Sequence, residues 1–344
     1  MYRLKLLSLV YLLTGVVFFA NCSSDEKNLK SIDVYVAGYE KNSQGHQIAT
    51  LWKNGIAQRF TDEKNWGEAK CVYVSGNNVY VAGHEYNDNE QGNWTATLWK
   101  NGIVQYLTDG ENDALVLSVY VFGGDVYVVG CTKNTKEKYV ATLWKNGIAQ
   151  SLTDGENNAY AWCVYVYRDD IYVVGSDNAV ATLWKNGIAQ NLTDGNRNAS
   201  ASSIYIADND VYVAGHEYNT QGILVAKLWK NGVVQNLTDG LNEARTYSVY
   251  VFGGDVYVVG CTKNTKEKYV ATLWKNGIAQ SLTDGKNNAE AQFVYVSDNN
   301  VYVVGHEYNI QGKNVAMLWK NGIPQSLTDG KSDAQACSVF VKEL

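Results

Sequence analysis

Apolar and polar positions along the chain follow a pattern that recurs about every 45 residues. Each unit contains two short runs in which Val and Tyr alternate, such as residues 72–74 and 79–81, and a later run that ends in Leu-Trp. Apolar residues at the three- and four-residue spacing of a helix are not visible, whereas β-branched and aromatic runs bounded by turn residues are typical of strands. The pattern therefore predicts an all-β chain.

Residues 69–111 show how one unit divides into four strands. The predicted strands are residues 72–74, 79–82, 95–100 and 103–108. Asn101-Gly102 separates the last two, and Asn-Gly is a strong hairpin signal because a type I′ turn needs φ > 0 at both positions. A loop from His84 to about Asn93 is expected between the second and third strands.

The pentapeptide Leu-Trp-Lys-Asn-Gly, which contains this hairpin signal, occurs seven times. It begins at residues 51, 98, 143, 183, 228, 273 and 318. Since both faces of the Val-Tyr-Val strands are apolar, each small sheet must be covered on both sides by its neighbours. Four-stranded sheets that repeat at this period and cover one another form a propeller. The predicted fold is a seven-bladed β-propeller with four-stranded blades.

The number of Val-Tyr-Val strands predicts how the ring closes. Seven blades need fourteen such strands, of which thirteen carry a central Tyr and the last carries Phe340. The first unit, at residues 33–36, has no preceding strand, so the C-terminal strand is expected to complete blade one and remove its free edge.

Pro324 predicts the order of the strands within a blade. It lies in the fourth strand of blade seven, and Pro is tolerated only at the edge of a sheet. The fourth strand should therefore be outermost, and the first should line the central channel. One face of the ring then carries the second-to-third-strand loops and the blade-to-blade loops, and we expect ligands on that face. The opposite face carries only tight hairpins.

These repeats resemble the seven-bladed propeller repeats of bacterial secreted and surface proteins over residues 31–344. They lack the Gly-His and Trp-Asp signature of WD40 domains and the paired glycines of kelch repeats. The resemblance implies an architecture and no particular activity, because propellers host enzymes, lectins and docking platforms alike.

The N-terminal residues predict export and a lipid anchor. Arg3 and Lys5 precede the uncharged run 6–20, which is too short to span a membrane comfortably and is typical of a signal peptide. The following Phe-Ala-Asn-Cys22 resembles the lipobox of bacterial lipoproteins, although its Phe and Asn depart from the usual residues. The resemblance implies that Cys22 carries lipid; a plain signal peptide cleaved nearby is the alternative.

The expected domains are therefore a signal peptide at 1–21, a lipidated tether at 22–30 and the propeller at 31–344. Ser23 and the acidic pair Asp25-Glu26 resemble signals that send lipoproteins to the outer membrane and the cell surface. We therefore expect a protein anchored in the bacterial outer membrane and exposed on the surface, with a periplasm-facing orientation left open.

The net charge limits the class of partner. Cleavage after residue 21 removes Arg3 and Lys5 and no acidic residue, so the charge changes from −6 to −8. An acidic protein is a poor candidate for binding nucleic acid or anionic membrane surfaces. The expected membrane contact is the lipid alone, and a monomer that binds an unknown protein or glycan is expected.

Three His-Glu pairs occupy one position of the repeat and could suggest a metal site. They are His84-Glu85, His216-Glu217 and His306-Glu307. Because they belong to blades two, five and seven, the rings cannot converge to the ~2.0–2.1 Å bonds that zinc needs. No metal or cofactor is expected, and these pairs are expected to form hydrogen bonds in loops and to contribute to a surface ligand pocket.

The remaining Cys residues are expected to be free and mostly buried. Cys131 and Cys261 share a repeat position in non-adjacent blades, which are too far apart for a disulfide.

The Asp of each Leu-Thr-Asp turn is expected to bind backbone NH groups at the blade junction. The alternative is a ring of acidic sites for calcium or a basic partner.

Tryptophan supplies the candidate ligand anchors. The seven Trp of Leu-Trp-Lys-Asn-Gly are expected to pack between blades; if they were exposed, seven equal stacking sites would make a multivalent lectin. Trp66, Trp94 and Trp162 fall outside this pattern. Trp66 and Trp94 are predicted to lie in loops on the binding face, where exposed aromatic residues often anchor ligands.

No catalytic set is apparent, so no catalytic residues are predicted. The units are very similar, and residues 118–155 and 248–285 are identical over 38 positions. An active site on the axis would need different residues from different blades, so this similarity favours a scaffold or a repeated binding surface. The predicted function is a lipid-anchored surface protein for protein–protein interaction or adhesion. The alternatives are a multivalent carbohydrate-binding lectin and, after it, a glycan-active enzyme.

Overall fold

The computed structural model describes residues 31–86 and 92–344, and the predicted signal peptide, Cys22 and the tether lie outside them. The described residues form 28 β-strands and no helix. None of them belongs to a helix long and apolar enough to cross a bilayer. Seven antiparallel four-stranded sheets form the blades of a β-propeller, which confirms the predicted fold.

The first blade combines both ends of the propeller. It consists of β1 (Ile32–Lys41), β2 (Gln47–Lys53), β3 (Ile56–Arg59) and the C-terminal β28 (Ala334–Glu343).

The other six blades are continuous in sequence. Blade 2 comprises β4 (Trp66–Ser75), β5 (Asn78–Tyr86), β6 (Trp94–Lys100) and β7 (Ile103–Tyr106). Blade 3 comprises β8 (Ala114–Phe122), β9 (Asp125–Lys133), β10 (Tyr139–Lys145) and β11 (Ile148–Ser151). Blade 4 comprises β12 (Ala159–Tyr167), β13 (Asp170–Asp177), β14 (Val180–Lys185) and β15 (Ile188–Asn191). Blade 5 comprises β16 (Ala199–Ala207), β17 (Asp210–Tyr218), β18 (Leu224–Lys230) and β19 (Val233–Asn236). Blade 6 comprises β20 (Ala244–Phe252), β21 (Asp255–Lys263), β22 (Tyr269–Lys275) and β23 (Ile278–Ser281). Blade 7 comprises β24 (Ala289–Ser297), β25 (Asn300–Tyr308), β26 (Asn314–Lys320) and β27 (Ile323–Ser326).

Ring closure occurs as the sequence predicts. β28 pairs antiparallel with β1, with Val341 opposite Val34 and Val339 opposite Val36. Val36 and Val339 also belong to a core cluster with residues of blade 7. The C-terminal strand therefore supplies both the missing ladder of blade 1 and its packing against the last blade.

The first strand of each blade is innermost and the fourth is outermost, as expected. The inner strands contact one another in sequence around the ring, from β4 through β28 and back to β4. The outer strands are four residues long and exposed along their whole length. Pro324 lies in one of them, β27, where its missing NH faces the open edge.

The seven Trp of the pentapeptides pack between blades, which confirms the prediction. Each is no more than 1% exposed; they are Trp52, Trp99, Trp144, Trp184, Trp229, Trp274 and Trp319. Trp144 of blade 3, for example, lies in one cluster with Tyr80 and Leu98 of blade 2. These rings are not available to stack sugars, so the seven-site lectin built on them is excluded.

The Lys-Asn-Gly part of each pentapeptide fixes a hairpin. The Asn residues have φ of 51 to 53° and the Gly residues φ of 79 to 82°, as a type I′ turn requires. In blade 3, Asn146 Oδ1 accepts a hydrogen bond from the backbone NH of Val126, and its Nδ2 donates to Asp125, both at 2.8 Å. Lys145 pairs with Asp125 at 2.9 Å and lies over the Tyr127 ring. These contacts explain why the Lys-Asn-Gly sequence recurs in every blade.

The Asp of each Leu-Thr-Asp turn, and of the equivalent Phe-Thr-Asp turn in blade 1, has the predicted structural role. Its Oδ1 accepts a hydrogen bond from the backbone NH two residues later, at 2.9 to 3.0 Å, in all seven turns. The residues are Asp62, Asp109, Asp154, Asp194, Asp239, Asp284 and Asp329.

The described Cys residues are all free, and Cys71, Cys131 and Cys261 are buried, as expected.

Candidate functional site: the axial cavity

Every blade has a β-bulge in its inner strand, and a glycine in the second strand makes room for it. In blade 3 the register between β8 and β9 shifts between Val116 and Ser118, so Leu117 has no partner. A Cβ on Gly130 would overlap the carbonyl oxygen of Leu115. The equivalent glycines, Gly38, Gly83, Gly175, Gly215, Gly260 and Gly305, face the same contact. Glycine is needed here for close approach of two backbones.

The unpaired residue of each bulge lines the central channel, as bulges near functional sites often re-aim a side chain. We refer to these seven residues, one from each blade, as the belt residues: Lys70, Leu117, Trp162, Ser202, Tyr247, Gln292 and Cys337. All seven are different residue types, and all line one cavity of about 820 Å³ on the axis. The residue types that line the channel therefore differ from blade to blade, although the blades are otherwise closely similar.

The axial cavity opens on the face that carries the blade-to-blade loops, which we name the mouth face. Asn157 and Asn158 of one such loop and Asn178 of the second-to-third-strand turn contribute to its wall. The opposite, hairpin face has a smaller cavity of about 330 Å³. The axial cavity is well within the size range of sites that enclose small organic ligands, roughly 300–1,000 Å³, whereas the smaller cavity is at its lower limit.

A closed ring of seven aromatic side chains separates the two cavities. Neighbouring ring centroids are 4.5 to 5.1 Å apart around the whole axis. The members are Tyr73, Tyr120, Tyr165, Tyr205, Tyr250, Tyr295 and Phe340. Burial raises the pKa of Tyr295 to about 12, so this phenol stays protonated. The ring lies below the axial cavity, and Tyr295 and Phe340 of the ring line the smaller cavity.

A layer of Ser and Cys between the belt residues and the aromatic ring joins neighbouring blades and lines the bottom of the axial cavity. Ser203 Oγ accepts a hydrogen bond from the backbone NH of Val249 in the next blade at 3.2 Å, and Ser338 accepts one from Val72 at 3.3 Å. Cys71 takes the equivalent position, and its thiol contacts the carbonyl oxygen of Val119 at 3.7 Å. Burial raises the pKa of the Cys71 thiol, so it is a packed thiol in a structural layer.

An ion pair stands at the blade 2 side of the cavity. Lys70 pairs with Glu68, and Glu68 also lies 3.8 Å from His84. Burial opposes ionisation of Glu68, but the Lys70 ammonium outweighs it and holds the pKa of Glu68 below its usual range. Of this pair only Lys70 lines the cavity, and its side chain remains 27% exposed.

The opposite side carries a cation without a carboxylate partner. Arg245 of blade 6 lines the cavity and lies over the Tyr269 ring, 5.7 Å from its centroid. It forms no ion pair within residues 31–86 and 92–344. The nearby Glu290 instead accepts hydrogen bonds from Tyr247 at 3.1 Å and Gln292 at 2.9 Å. Arg245 also hydrogen bonds to Tyr247. Because no described carboxylate neutralises the guanidinium, its charge remains available to a ligand.

Blades 3 and 4 supply an apolar and aromatic wall. The rings of Tyr160 and Trp162 are stacked, with centroids 5.9 Å apart, and Tyr160 also lies 5.4 Å from Tyr139. Trp162 is 38% exposed although it belongs to an inner strand. With Leu117 beside it, this wall offers a flat surface to a ligand.

The structure places the predicted His-Glu pairs in strands, which corrects the expectation that they lie in loops. The second strands extend through them to Tyr86, Tyr218 and Tyr308. Because neighbours in a strand point to opposite faces, each His and its Glu are separated. His84 approaches Glu68, whereas Glu85 accepts a hydrogen bond from Tyr106 at 3.3 Å.

The members of these pairs differ in their surroundings. His216 lines the axial cavity, and Glu217 is buried in ion pairs with Lys227 at 2.5 Å and Arg197 at 3.4 Å. Burial lowers the pKa of His84 and His216 to about 4. Burial also lowers the pKa of His306 and raises that of Glu307, as it does for Glu85.

The two candidate Trp anchors also lie in strands, which is a second correction. Trp66 is the first residue of β4 and Trp94 the first residue of β6, because pairing with Tyr86 extends both strands. Trp66 is 38% exposed and contacts His46, with centroids 5.4 Å apart; Trp94 packs against His84 at 4.9 Å. Neither Trp lines the axial cavity, whereas Trp162 does.

Sequence reasoning missed the belt residues, although a signal for them was present. The identity between blades 3 and 6 begins at Ser118 and Ser248, directly after the belt residues. The preceding three residues are Leu-Val-Leu in blade 3 and Arg-Thr-Tyr in blade 6. The place where identity stops marks the positions that line the channel. The same axial positions contradict the expectation that the blades are too alike to build a varied site.

No described group of three or more His, Cys, Asp or Glu side chains is arranged to hold a metal ion. In comparisons by sequence, neither a family model nor a curated protein matches the chain.

Solved structures are similar in fold. A puromycin-hydrolysing peptidase of Mycobacterium tuberculosis is 11% identical with a TM-score of 0.57, over 86% of this chain and 51% of that one. An acylaminoacyl peptidase of Pyrococcus horikoshii is 13% identical with a TM-score of 0.52, over 88% and 51%. The chain thus spans about half the length of these two enzymes.

The third likeness is to a propeller domain by itself. The β-propeller domain of the Trilobed protease from Pyrococcus furiosus is 12% identical with a TM-score of 0.51, over 88% of this chain and 96% of that domain. That domain is described as having an open velcro topology, whereas β28 and β1 close the ring here. At these identities the likenesses show the fold, and the chain has the architecture of a seven-bladed β-propeller.

Proposed function

We propose that this protein is a cell-envelope binding protein whose ligand enters the axial cavity from the mouth face. The observation that carries the proposal is the belt: the seven blades repeat one framework, yet each contributes a different residue type to the cavity. A purely structural channel would tolerate one residue repeated seven times, as the aromatic ring below it nearly does.

The shape of the site favours a small ligand, or the protruding end of a larger one. Stable protein interfaces bury about 800 Å² on each partner and are extended surfaces. A concave site with a few polar groups on an apolar wall is instead typical of small-molecule recognition. A protein partner could still use this site by inserting a glycan or a chain end.

Binding without catalysis is part of the proposal. The charged side chains that line the cavity are the cations Lys70, Lys138 and Arg245. Burial raises the pKa of the cavity thiol of Cys337 to about 11, so it is protonated at neutral pH and a weak nucleophile. The imidazole that lines the cavity, His216, has its pKa lowered to about 4 by burial, so it is a weak base at neutral pH. A cationic wall with a protonated thiol and a weak imidazole base supports a receptor more than a hydrolase, which needs a base whose pKa lies nearer the working pH.

We further propose that Cys22 carries lipid and anchors the protein in the outer membrane. β1 begins at Ile32 on the hairpin face, because second strands run from that face to the mouth face. A tether of residues 22–30 reaches at most about 3.3–3.6 Å per residue. A lipid on Cys22 would therefore keep Ile32 within the reach of this tether from the bilayer.

The anchor is tested with a fatty-acid analogue supplied to expressing cells. Wild type should incorporate the label and Cys22→Ser should not. Equal labelling of the two proteins would remove the lipid anchor from the proposal and leave the cavity proposal standing.

Ligand binding is tested by blocking the cavity. Ser202→Trp places in blade 5 the residue that blade 4 already carries at the same belt position, so the framework should accept it. A library of saccharides, peptides and organic acids is screened by thermal shift against full-length protein in detergent. Ligands that stabilise wild type should fail with Ser202→Trp and persist with Ile148→Ala on the hairpin face. Ligands that stabilise all three proteins equally would contradict the proposal.

A further inference from the structure

We infer that the ligand of the axial cavity is an acidic saccharide, held by its carboxylate at Arg245 and by a sugar face on Trp162. The inference rests on the proposed function and specifies the chemistry of the ligand. It follows from three features of the cavity: the sign of its charges, its aromatic wall and its uncharged polar groups.

The charges favour an anion. Lys70, Lys138 and Arg245 line the cavity, whereas Glu68 and Glu290 do not. Both carboxylates are engaged by neighbouring side chains, Glu68 by Lys70 and Glu290 by Tyr247 and Gln292. The cavity is thus cationic in a chain with a net charge of −6, so its sign is a local feature and opposes that of the whole protein.

Arg245 is the residue best placed to bind the anion. It lines the cavity without an ion pair in the described parts of the chain, and stacking on Tyr269 restrains its guanidinium. A planar guanidinium can donate two parallel hydrogen bonds to a carboxylate, which gives both strength and orientation. Lys70 stands in blade 2, across the axis from blade 6, but Glu68 already neutralises much of its charge.

The aromatic wall favours a sugar over a purely aliphatic acid. Trp162 keeps 38% of its surface exposed and is backed by Tyr160, so a flat, partly apolar ring can pack on it. The CH face of a pyranose has this shape, and covering it removes apolar surface from water.

Uncharged polar groups complete the site. Ser202, Gln292 and Asn158 lie around the same cavity. They offer donors and acceptors suited to sugar hydroxyl groups. An aliphatic acid would leave these groups without partners, whereas a sugar would satisfy them.

The probes are a disaccharide that ends in glucuronic acid, its methyl ester, and the neutral glucose-ended disaccharide. Binding to full-length protein in detergent is measured by calorimetry. The acid should bind at least tenfold more tightly than the ester or the neutral sugar, because a hydrogen bond to a charged group is worth roughly ten- to a hundredfold in affinity.

Matched variants locate the two contacts. Arg245→Leu and Trp162→Leu each introduce the residue that blade 3 carries at the same position, Leu115 and Leu117. Arg245→Leu should abolish the preference for the acid and leave a weak affinity common to all three probes. Trp162→Leu should weaken all three probes, and Lys145→Met on the hairpin face should change none.

The outcomes separate the inference from the proposed function. Equal binding of acid, ester and neutral sugar, lost in Trp162→Leu, would overturn the acidic ligand and keep the axial site. Failure of all three probes, with another class of ligand bound in a Ser202→Trp-sensitive manner, would also overturn the saccharide and keep the site. Acid binding unaffected by Arg245→Leu, Trp162→Leu and Ser202→Trp would overturn both.

Discussion

Blades 3 and 6 share an identical framework and differ where they meet the axis. Residues 118–155 and 248–285 are the same at every position, and so are the strands, hairpins and buried Trp they build. Before this segment, blade 3 presents Leu115 and Leu117, whereas blade 6 presents Arg245 and Tyr247. One framework therefore supports an apolar wall at one place and a cation with a phenol at another.

The physical reason is that the bulge residue takes no part in the framework. It has no ladder partner and belongs to none of the hydrophobic clusters between blades, so its identity is free of the constraints that fix Trp144 or Gly130. A framework position must satisfy two neighbouring blades. A belt position needs only to fit the cavity.

The largest effect should come from opening the ring that both blades depend on. Deleting residues 334–344 removes β28, including Val339 and Val341, which are 1% and 4% exposed. Each buried apolar side chain contributes about 1.5–3 kcal/mol, and a typical domain has only about 5–15 kcal/mol of stability. We expect aggregation or a much lower melting temperature in thermal denaturation followed by circular dichroism.

Deleting only Leu344, which is 62% exposed, is the control and should change little. A protein without β28 that melts within a degree or two of wild type would show that closure does not support the framework.

The next effect tests whether blades 3 and 6 bear the same framework constraint. Gly130→Ala and Gly260→Ala each place a Cβ on the carbonyl oxygen of the facing inner strand. Overpacking against backbone should cost about 3 kcal/mol, at the upper end of such penalties. Chemical denaturation should give equal losses in the two blades, since in both the added Cβ would meet a backbone carbonyl oxygen, at 1.8 Å and 1.9 Å.

Ser151→Ala, on the exposed outer strand of blade 3, serves as the control. Clearly unequal losses for the two glycine variants would mean that the belt residues also shape the framework.

A smaller effect concerns pH and separates blades that carry His in the second strand from those that do not. Burial lowers the pKa of His84 from 6.5 to about 4. The unfolded chain then binds a proton that the folded one rejects, so stability is full above pH 6.5 and falls as the pH decreases towards 4. At about 1.4 kcal/mol for each pKa unit, His84 should account for roughly 3 kcal/mol of that loss.

Urea denaturation at pH 7, 5.5 and 4 measures this contribution. His84→Gln should lose less stability than wild type over the range, while Ser176→Ala, at the same position of blade 4, should follow wild type. Parallel curves for His84→Gln and wild type would show that His84 does not titrate as its burial indicates.

The smallest effect on stability should come from a substitution at a side chain that lines the cavity. Arg245→Leu gives blade 6 the residue of blade 3 and breaks no ion pair in the described chain. We expect the free energy of unfolding to change by less than about 1 kcal/mol, because substitutions outside packed features have small effects. Val249→Ala in the same strand, at a position 3% exposed, should cost roughly 1–3 kcal/mol. Similar losses for both variants in urea denaturation would contradict the distinction between framework residues and residues that line the cavity.

The sequence by itself determined the framework. Asn-Gly could only close hairpins, the apolar Val-Tyr-Val strands had to be covered on both faces, and one Phe-centred strand at the C-terminus had no partner except the first unit. These are local or counting arguments, because turn chemistry and strand pairing depend on residues whose spacing can be read directly. Pro324 fixed the strand order in the same way, through a donor that Pro lacks.

The tertiary structure alone decided which residues share the axis. Lys70, Trp162 and Arg245 come from blades two, four and six, and no spacing in the chain shows that all three line one cavity. A bulge shifts side-chain direction by one residue, so simple alternation fails at the belt. The bulge also depends on a glycine in the neighbouring strand. The sequence shows this glycine but not the close backbone contact that requires it. The site residues predicted from the sequence were the His-Glu pairs, Trp66 and Trp94. Strand pairing places them within the blades, and of these residues only His216 lines the cavity.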